Sequence, residues 1–418
     1  MKKIVVVGAG PAGMMASAAA AECGGRVLLL EKMPRVGRKM MITGKGRCNV
    51  TSADEIPDII KNIVGNGRFL NSSLRAFGNA DVMTFFEGLG VPLKMERGNR
   101  VFPESDRAVD VVDAMLRHLR DHEVEIRTNA AVSELCIEDG HVCGVGLADG
   151  THIEAASVIL ATGGASYPAT GSTGDGYALA RAAGHTVTEI FPALVPLVTS
   201  EAWVKDVQGL SLRNVRASLY HAGKKEQDFF GEMLFTHFGV TGPIILQLSR
   251  RASELLAAGT PDLELRLNLK PALTHEKLRE RVERDFATYE RKQLHNAMID
   301  LLPKRLIEPV LNAAGLSPER FAQQISSKER ERLVQTLQAL PLTVTGTRPI
   351  AEAIVTAGGV ATREIDPRTM ESKIVKHLYF VGELVDVDAY TGGYNLQAAF
   401  SMGHAAGSYS VWNLEGDK

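Results

Sequence analysis

Apolar positions along the chain fall into runs, alternations and helical stretches. The short runs Ile4-Val5-Val6-Val7, Val27-Leu28-Leu29-Leu30, Val158-Ile159-Leu160 and Leu378-Tyr379-Phe380-Val381 have the length and β-branched content of strands buried on both faces of a parallel sheet. Segments 131–137, 141–147 and 151–154 alternate or run apolar and are separated by Asp139-Gly140 and Asp149-Gly150, which predicts an antiparallel meander. Asp262-Leu263-Glu264-Leu265-Arg266-Leu267 alternates strictly, as a strand with one buried face does. Residues 275–338 are rich in Glu, Arg, Lys, Leu and Ala and read as helices broken at Pro303, Pro309 and Gly315-Leu316-Ser317-Pro318. The pattern predicts an α/β scaffold in two pieces, residues 1–190 and 341–418. Between them lies an insert, residues 191–340, of barrel-like strands followed by helices.

The length of 418 residues agrees with two or three domains. An apolar fraction of 45%, a charged fraction of 23% and a mean hydropathy of -0.02 exclude disordered, fibrous and membrane-embedded classes. Lys2 and Lys3 precede an uncharged run from Ile4 to Ala21 that imitates a signal peptide, but Pro11 and the glycines split it into a strand and a helix. Four cysteines without a CxxC pair fit a reduced, cytoplasmic protein and no disulfide framework. With 47 basic and 49 acidic side chains there is no global footprint for nucleic acid or membrane, so such a partner needs a local patch. The insert, with 21 Lys and Arg against 18 Asp and Glu, is the more basic part.

The first strand feeds directly into Gly8-Ala9-Gly10-Pro11-Ala12-Gly13, a GxGxxG turn opening a helix. In that context Gly8 permits the turn, Gly10 admits a pyrophosphate and Gly13 lets the helix pack on the strand, with Pro11 and Ala12 in its first turn. The second strand ends in Glu31, placed to accept hydrogen bonds from a ribose, and is followed by Lys32. At this point NAD and FAD both remain open. Four later segments favour FAD. They are a basic, glycine-containing loop with Arg35, Arg38, Lys39, Lys45 and Arg47; the meander; the strand ending in Thr162-Gly163-Gly164; and Gly382-Glu383 followed by Gly392-Gly393-Tyr394-Asn395-Leu396-Gln397.

That order resembles the flavoprotein superfamily of glutathione reductase and fumarate reductase. The resemblance implies a Rossmann-like FAD-binding domain. Its cofactor-binding residues would be Gly8, Gly10, Pro11, Ala12, Gly13, Glu31, Lys32, Arg38, Lys39, Gly44, Gly46, Arg47, Asn49, Val132, Thr162, Gly163, Gly164, Asp175, Gly382, Glu383, Gly393, Asn395, Leu396 and Gln397. No second GxGxxG stands in strand and helix context, so reduced nicotinamide would visit the flavin face. Four segments narrow the family: 39–51, Arg100-Val101-Phe102-Pro103, 234–243 and 392–398. They resemble the BaiN/RdsA flavoproteins along almost the whole chain. That resemblance implies an NADH-consuming reductase of a conjugated C=C bond, with reduction of a uridine in 23S ribosomal RNA to dihydrouridine as the first expectation. Thr170-Gly171-Ser172-Thr173-Gly174-Asp175-Gly176 also resembles fumarate reductases and ketosteroid dehydrogenases, which keeps a small-molecule ene-reductase as an alternative. A flavin-containing binding protein without turnover is another.

A uracil reductase needs an acid to protonate C5. Cys48, behind Arg47 and other cations, has the setting of a thiol with a lowered pKa. His237, between Thr236 and Phe238 in a glycine-containing loop, is the other candidate. Cys23, Cys136 and Cys143 read as small buried side chains. His118 and His122 are spaced i, i+4 on a helix without a third ligand nearby in sequence, so no metal is expected.

Overall fold

The structure is a computed structural model and describes residues 3–260 and 262–416. The chain divides into two compact units, Met1–Phe191 with Ile350–Lys418, and Pro192–Pro349.

In the first unit five strands form a parallel sheet in the spatial order Leu378–Phe380, Ser157–Leu160, Lys3–Val7, Arg26–Leu30, Glu125–Arg127. Val5, Val6, Leu29, Val158 and Ile159 are fully buried, which is why these strands are continuous apolar runs rather than alternations. The helix Pro11–Glu22 is buried at every position from Ala12 to Ala20 and packs along the C-terminal helix Tyr394–Gly416. The apparent signal peptide is therefore a core strand and a core helix. The meander Val132–Glu138, His141–Leu147, His152–Glu154 is antiparallel, and its first turn holds Asp139 and Gly140 both at positive φ (50° and 77°), the geometry that makes Asp-Gly a hairpin turn.

The second unit contains a closed six-stranded barrel in the order Leu197–Thr199, Gly239–Thr241, Lys224–Phe235, Ser211–His221, Leu263–Asn268, Leu340–Thr347. The last strand pairs with both Leu263–Asn268 and Leu197–Thr199, closing the barrel, so the chain returns to the scaffold at Pro349–Ile350 rather than at 340. The strand predicted from strict alternation buries Leu263, Leu265 and Leu267. Pro303 lies between two helices, Leu294–Ala297 and Lys304–Ala313, and is the N-cap of the second, but Pro309 lies inside that second helix and does not break it. Its missing N–H removes a single bond of the ladder, while Leu306, Ile307, Pro309, Val310 and Leu311 are all buried together. Among the described residues, no helix is long and apolar enough to cross a membrane.

Candidate dinucleotide site

The GxGxxG turn joins the first strand to the first helix, and its three glycines have different reasons to be there. A Cβ on Gly8 would lie 2.5 Å from the Ala161 carbonyl oxygen, and one on Gly13 would lie 1.9 Å from that of Gly8. Both glycines are demanded by the protein's own packing. A Cβ on Gly10 would meet nothing within 4 Å. The chain thus leaves open the position where a pyrophosphate must approach the backbone, in front of a helix that starts at Pro11.

Glu31 stands beside this turn. Its carboxylate accepts hydrogen bonds from the backbone N–H of Ala9 (2.9 Å) and of Met33 (2.8 Å). The turn and the loop after the second strand are tied together before any ribose is added. The Ala130 N–H donates to the Glu31 carbonyl (2.9 Å), which brings the start of the meander at Val132 alongside. Lys32 does not stand free: it is paired with Asp175 and Thr173. Burial would push the Asp175 carboxyl up, but the Lys32 ammonium and the Thr173 hydroxyl outweigh it and hold the group below the usual carboxylate range.

Three cations of the basic loop are engaged by partners within the protein. Lys39 donates to Glu383 Oε2 (2.5 Å) and Ser166 Oγ (2.7 Å), Arg38 to the Ala169 carbonyl (2.9 Å). Arg47 makes a fork to Glu96 (2.8 and 3.2 Å), reaches Asp106 (3.1 Å) and lies 4.0 Å above the Phe102 ring. The acidic partners lie up to 344 residues away, beyond any local charge pattern. Glu383 also accepts from the Thr356 N–H (2.7 Å); burial works to raise its pKa, and the Lys39 charge with these hydrogen bonds wins, holding it low. Lys45 is exposed between Gly44 and Gly46, which carry left-handed φ of 57° and 87°.

Two buried polar atoms at expected cofactor positions, Asn49 Oδ1 and Thr162 Oγ1, have no hydrogen-bond partner among the described residues. Such orphans are uncommon in a finished core and fit a ligand that brings its own hydrogen-bonding groups. Gly163 and Gly164 continue the turn after Thr162, and Gly382 opens the turn that carries Glu383. The C-terminal helix begins at Tyr394 directly after Gly393, so its first-turn N–H groups stay free of helix partners. The side chains of its first turn bind within the protein. Asn395 binds back to Ala389, accepting from its N–H (3.0 Å) and donating to its carbonyl (2.9 Å). Gln397 is fully buried on Thr51, Phe77 and Ser401, so it supports the helix start instead of facing a cofactor. Leu396 packs partly against the core. Open glycine, orphaned acceptors and free helix amides together fit FAD.

Residues 2–409 match the family model described as HI0933-like protein Rossmann domain. The chain belongs to this family. A 3-dehydro-bile acid delta(4,6)-reductase of Clostridium scindens is 33% identical over 410 residues, covering 97% of this chain and 98% of that protein. A ribosomal RNA dihydrouridine synthase of Escherichia coli is 30% identical over 402 residues, 96% of each chain. In fold, the HI0933-like chain is similar to the open conformation of a flavocytochrome c3 fumarate reductase, with a TM-score of 0.54 at 17% identity over 98% of this chain and 78% of the other. The protein is an FAD-dependent oxidoreductase of the HI0933-like family.

Within this HI0933-like protein the two candidate acids sit in different surroundings. Cys48 is fully buried in the scaffold core, and burial pushes its thiol up to about 12. The expected lowering fails because the neighbouring Arg47 is spent on Glu96, Asp106 and Phe102, leaving desolvation to dominate. The other three cysteines, expected to be buried, are only partly so. His237 is exposed at the turn between barrel strands Lys224–Phe235 and Gly239–Thr241, with its ring edge-on to Phe238 at 4.9 Å. Arg348 lies 4.7 Å over the same Phe238 ring, a neighbour that sequence distance concealed.

Proposed function

We propose that this flavoprotein consumes NADH or NADPH to reduce a C=C bond conjugated to a carbonyl, and that its substrate is a uridine of 23S ribosomal RNA. The observation that carries the reading is the 96% coverage, in both directions, of a ribosomal RNA dihydrouridine synthase, a match too long to omit the barrel and helices of the second unit. Such a substrate places the protein in the cytoplasm. Bound FAD supplies reversible two-electron chemistry. The chain's own tasks are to hold the diphosphate at Gly10 and the helix start, to orient the ribose at Glu31, and to protonate the product. Saturating uracil adds a hydride equivalent at C6 and a proton at C5. His237, exposed where Cys48 is sealed, is the residue we assign to deliver that proton. A base stacked in RNA must be turned out to be reduced. The test is mass spectrometry of 23S ribosomal RNA from a strain lacking the gene. We expect loss of one dihydrouridine, restored by the wild-type gene and not by His237→Ala; unchanged dihydrouridine refutes the reading.

A second reading, a small-molecule ene-reductase, is favoured by the 33% identity to the bile acid reductase. It predicts that a steroid enone reoxidises the NADH-reduced protein without oxygen.

A further inference from the structure

Outside the dinucleotide site, the fold brings Glu22 to a pair of histidines on one helix end, 96 residues away at His118. Glu22 ends the helix Pro11–Glu22, His118 lies in the last turn of the helix Ala108–Asp121, and His122 is the cap of that same helix. One donor atom from each lies within 4.8 Å of the other two. We propose that Glu22, His118 and His122 form a binding site for one borderline divalent transition ion, of the Zn²⁺ or Ni²⁺ class, that staples the ends of these two helices.

Four features favour an ion here over a plain surface cluster. First, His122 Nδ1 lies 3.0 Å from the His118 carbonyl; that oxygen can only accept, so Nδ1 carries the proton and the lone pair is left on Nε2, the form that binds metal. Second, His118 Nε2 is already 2.7 Å from Glu22 Oε1, and its ring is braced edge-on by Phe85 at 5.3 Å. Third, the His118 and His122 ring centroids are 4.3 Å apart, so the i, i+4 spacing has put both imidazoles on one face. Fourth, two helix C-termini meet at this point, and their partial negative charge favours a cation. Tetrahedral zinc needs donors roughly 3.3 Å apart at its usual bond lengths, within reach of small side-chain rotations. Two imidazoles and a carboxylate suit a borderline ion and leave a coordination position to water. As His118 Nε2 takes up the ion, the proton that it shares with Glu22 moves to Nδ1 of the neutral ring, the tautomer that leaves the Nε2 lone pair to the metal.

The site is tested on the flavin-loaded, tag-free protein after treatment with EDTA and desalting, by calorimetric titration with Zn²⁺ and by thermal melting with and without it. We expect one ion per chain with a dissociation constant on the order of 10 µM and in any case below about 100 µM. His122→Ala and Glu22→Gln should each weaken binding at least fivefold and abolish the rise in melting temperature that Zn²⁺ gives the wild type. Both residues are exposed, so both variants should fold; unliganded melting within a few degrees of wild type checks this. Weaker wild-type binding, or a loss smaller than fivefold in either variant, overturns the assignment.

Discussion

Lys39 Nζ lies 2.5 Å from Glu383 Oε2, joining the basic loop near the start of the chain to the Gly-Glu turn near its end. Both side chains are about one-fifth exposed, so the pair is mostly withdrawn from water. Removing one partner of such a pair leaves the other charge stranded, and Lys39→Met should destabilise the protein by about 2 to 4 kcal/mol in urea unfolding. The pH dependence follows from the depressed Glu383 pKa. Its contribution to stability is complete above the unfolded carboxyl value and disappears as pH falls through the lower, folded value. Wild-type stability should therefore drop below about pH 4.5, and this drop should be shallower in Lys39→Met. An equal slope in both proteins would remove the pair from the acid response.

Glu31 and Thr162 should separate folding from cofactor binding. Glu31 already satisfies two backbone N–H groups, so Glu31→Ala should lower the stability of the flavin-free protein and also weaken FAD by about 1.5 to 3 kcal/mol, roughly ten- to over a hundredfold. Thr162 Oγ1 is a buried orphan, so Thr162→Val should leave the flavin-free protein as stable or more so, while FAD affinity falls. Thermal melting of flavin-free protein and fluorescence titration with FAD give the two readings. A less stable flavin-free Thr162→Val protein would mean that the hydroxyl serves the fold.

Cys48, sealed and with its thiol pushed up to about 12, should resist iodoacetamide at pH 8 in the native protein and react in guanidinium, as peptide mass spectrometry will show. Cys48→Ala should keep substrate-driven flavin reoxidation near the wild-type rate. His237→Ala should slow it by about 10² to 10⁴ in anaerobic stopped flow, with flavin reduction by NADH unchanged. The reverse ranking would make the buried thiol the acid.

For RNA binding, the cations of the second unit are not equivalent. Arg305 donates to the carbonyls of Asp206 (2.6 Å) and Gln208 (3.0 Å), and Arg330 to that of Ile325 (2.7 Å), so both serve the fold. Lys304 and Arg332 are exposed. Neutralising both to Gln should weaken binding of a 23S ribosomal RNA fragment and flatten the logarithmic salt slope by about two, without altering NADH reduction of the flavin. Parental affinity and slope would exclude these helices from the RNA surface.

The sequence by itself determined what lies within a few residues of its own cause: the strand, turn and helix of Gly8 to Gly13, the Asp-Gly turn of the meander, and the alternation that buries Leu263, Leu265 and Leu267. Hydrophobic period and turn chemistry are local physics, and they carried the flavoprotein architecture. Only the tertiary structure decided where charges and donors end. It spent Arg47 on Glu96 and Asp106, sealed Cys48, turned Gln397 inward onto Thr51, admitted Pro309 to a helix and carried Glu22 to His118, 96 residues away. Partners of this kind are chosen by packing across the whole unit. A side chain's pKa and exposure follow from that packing, which no local spacing records.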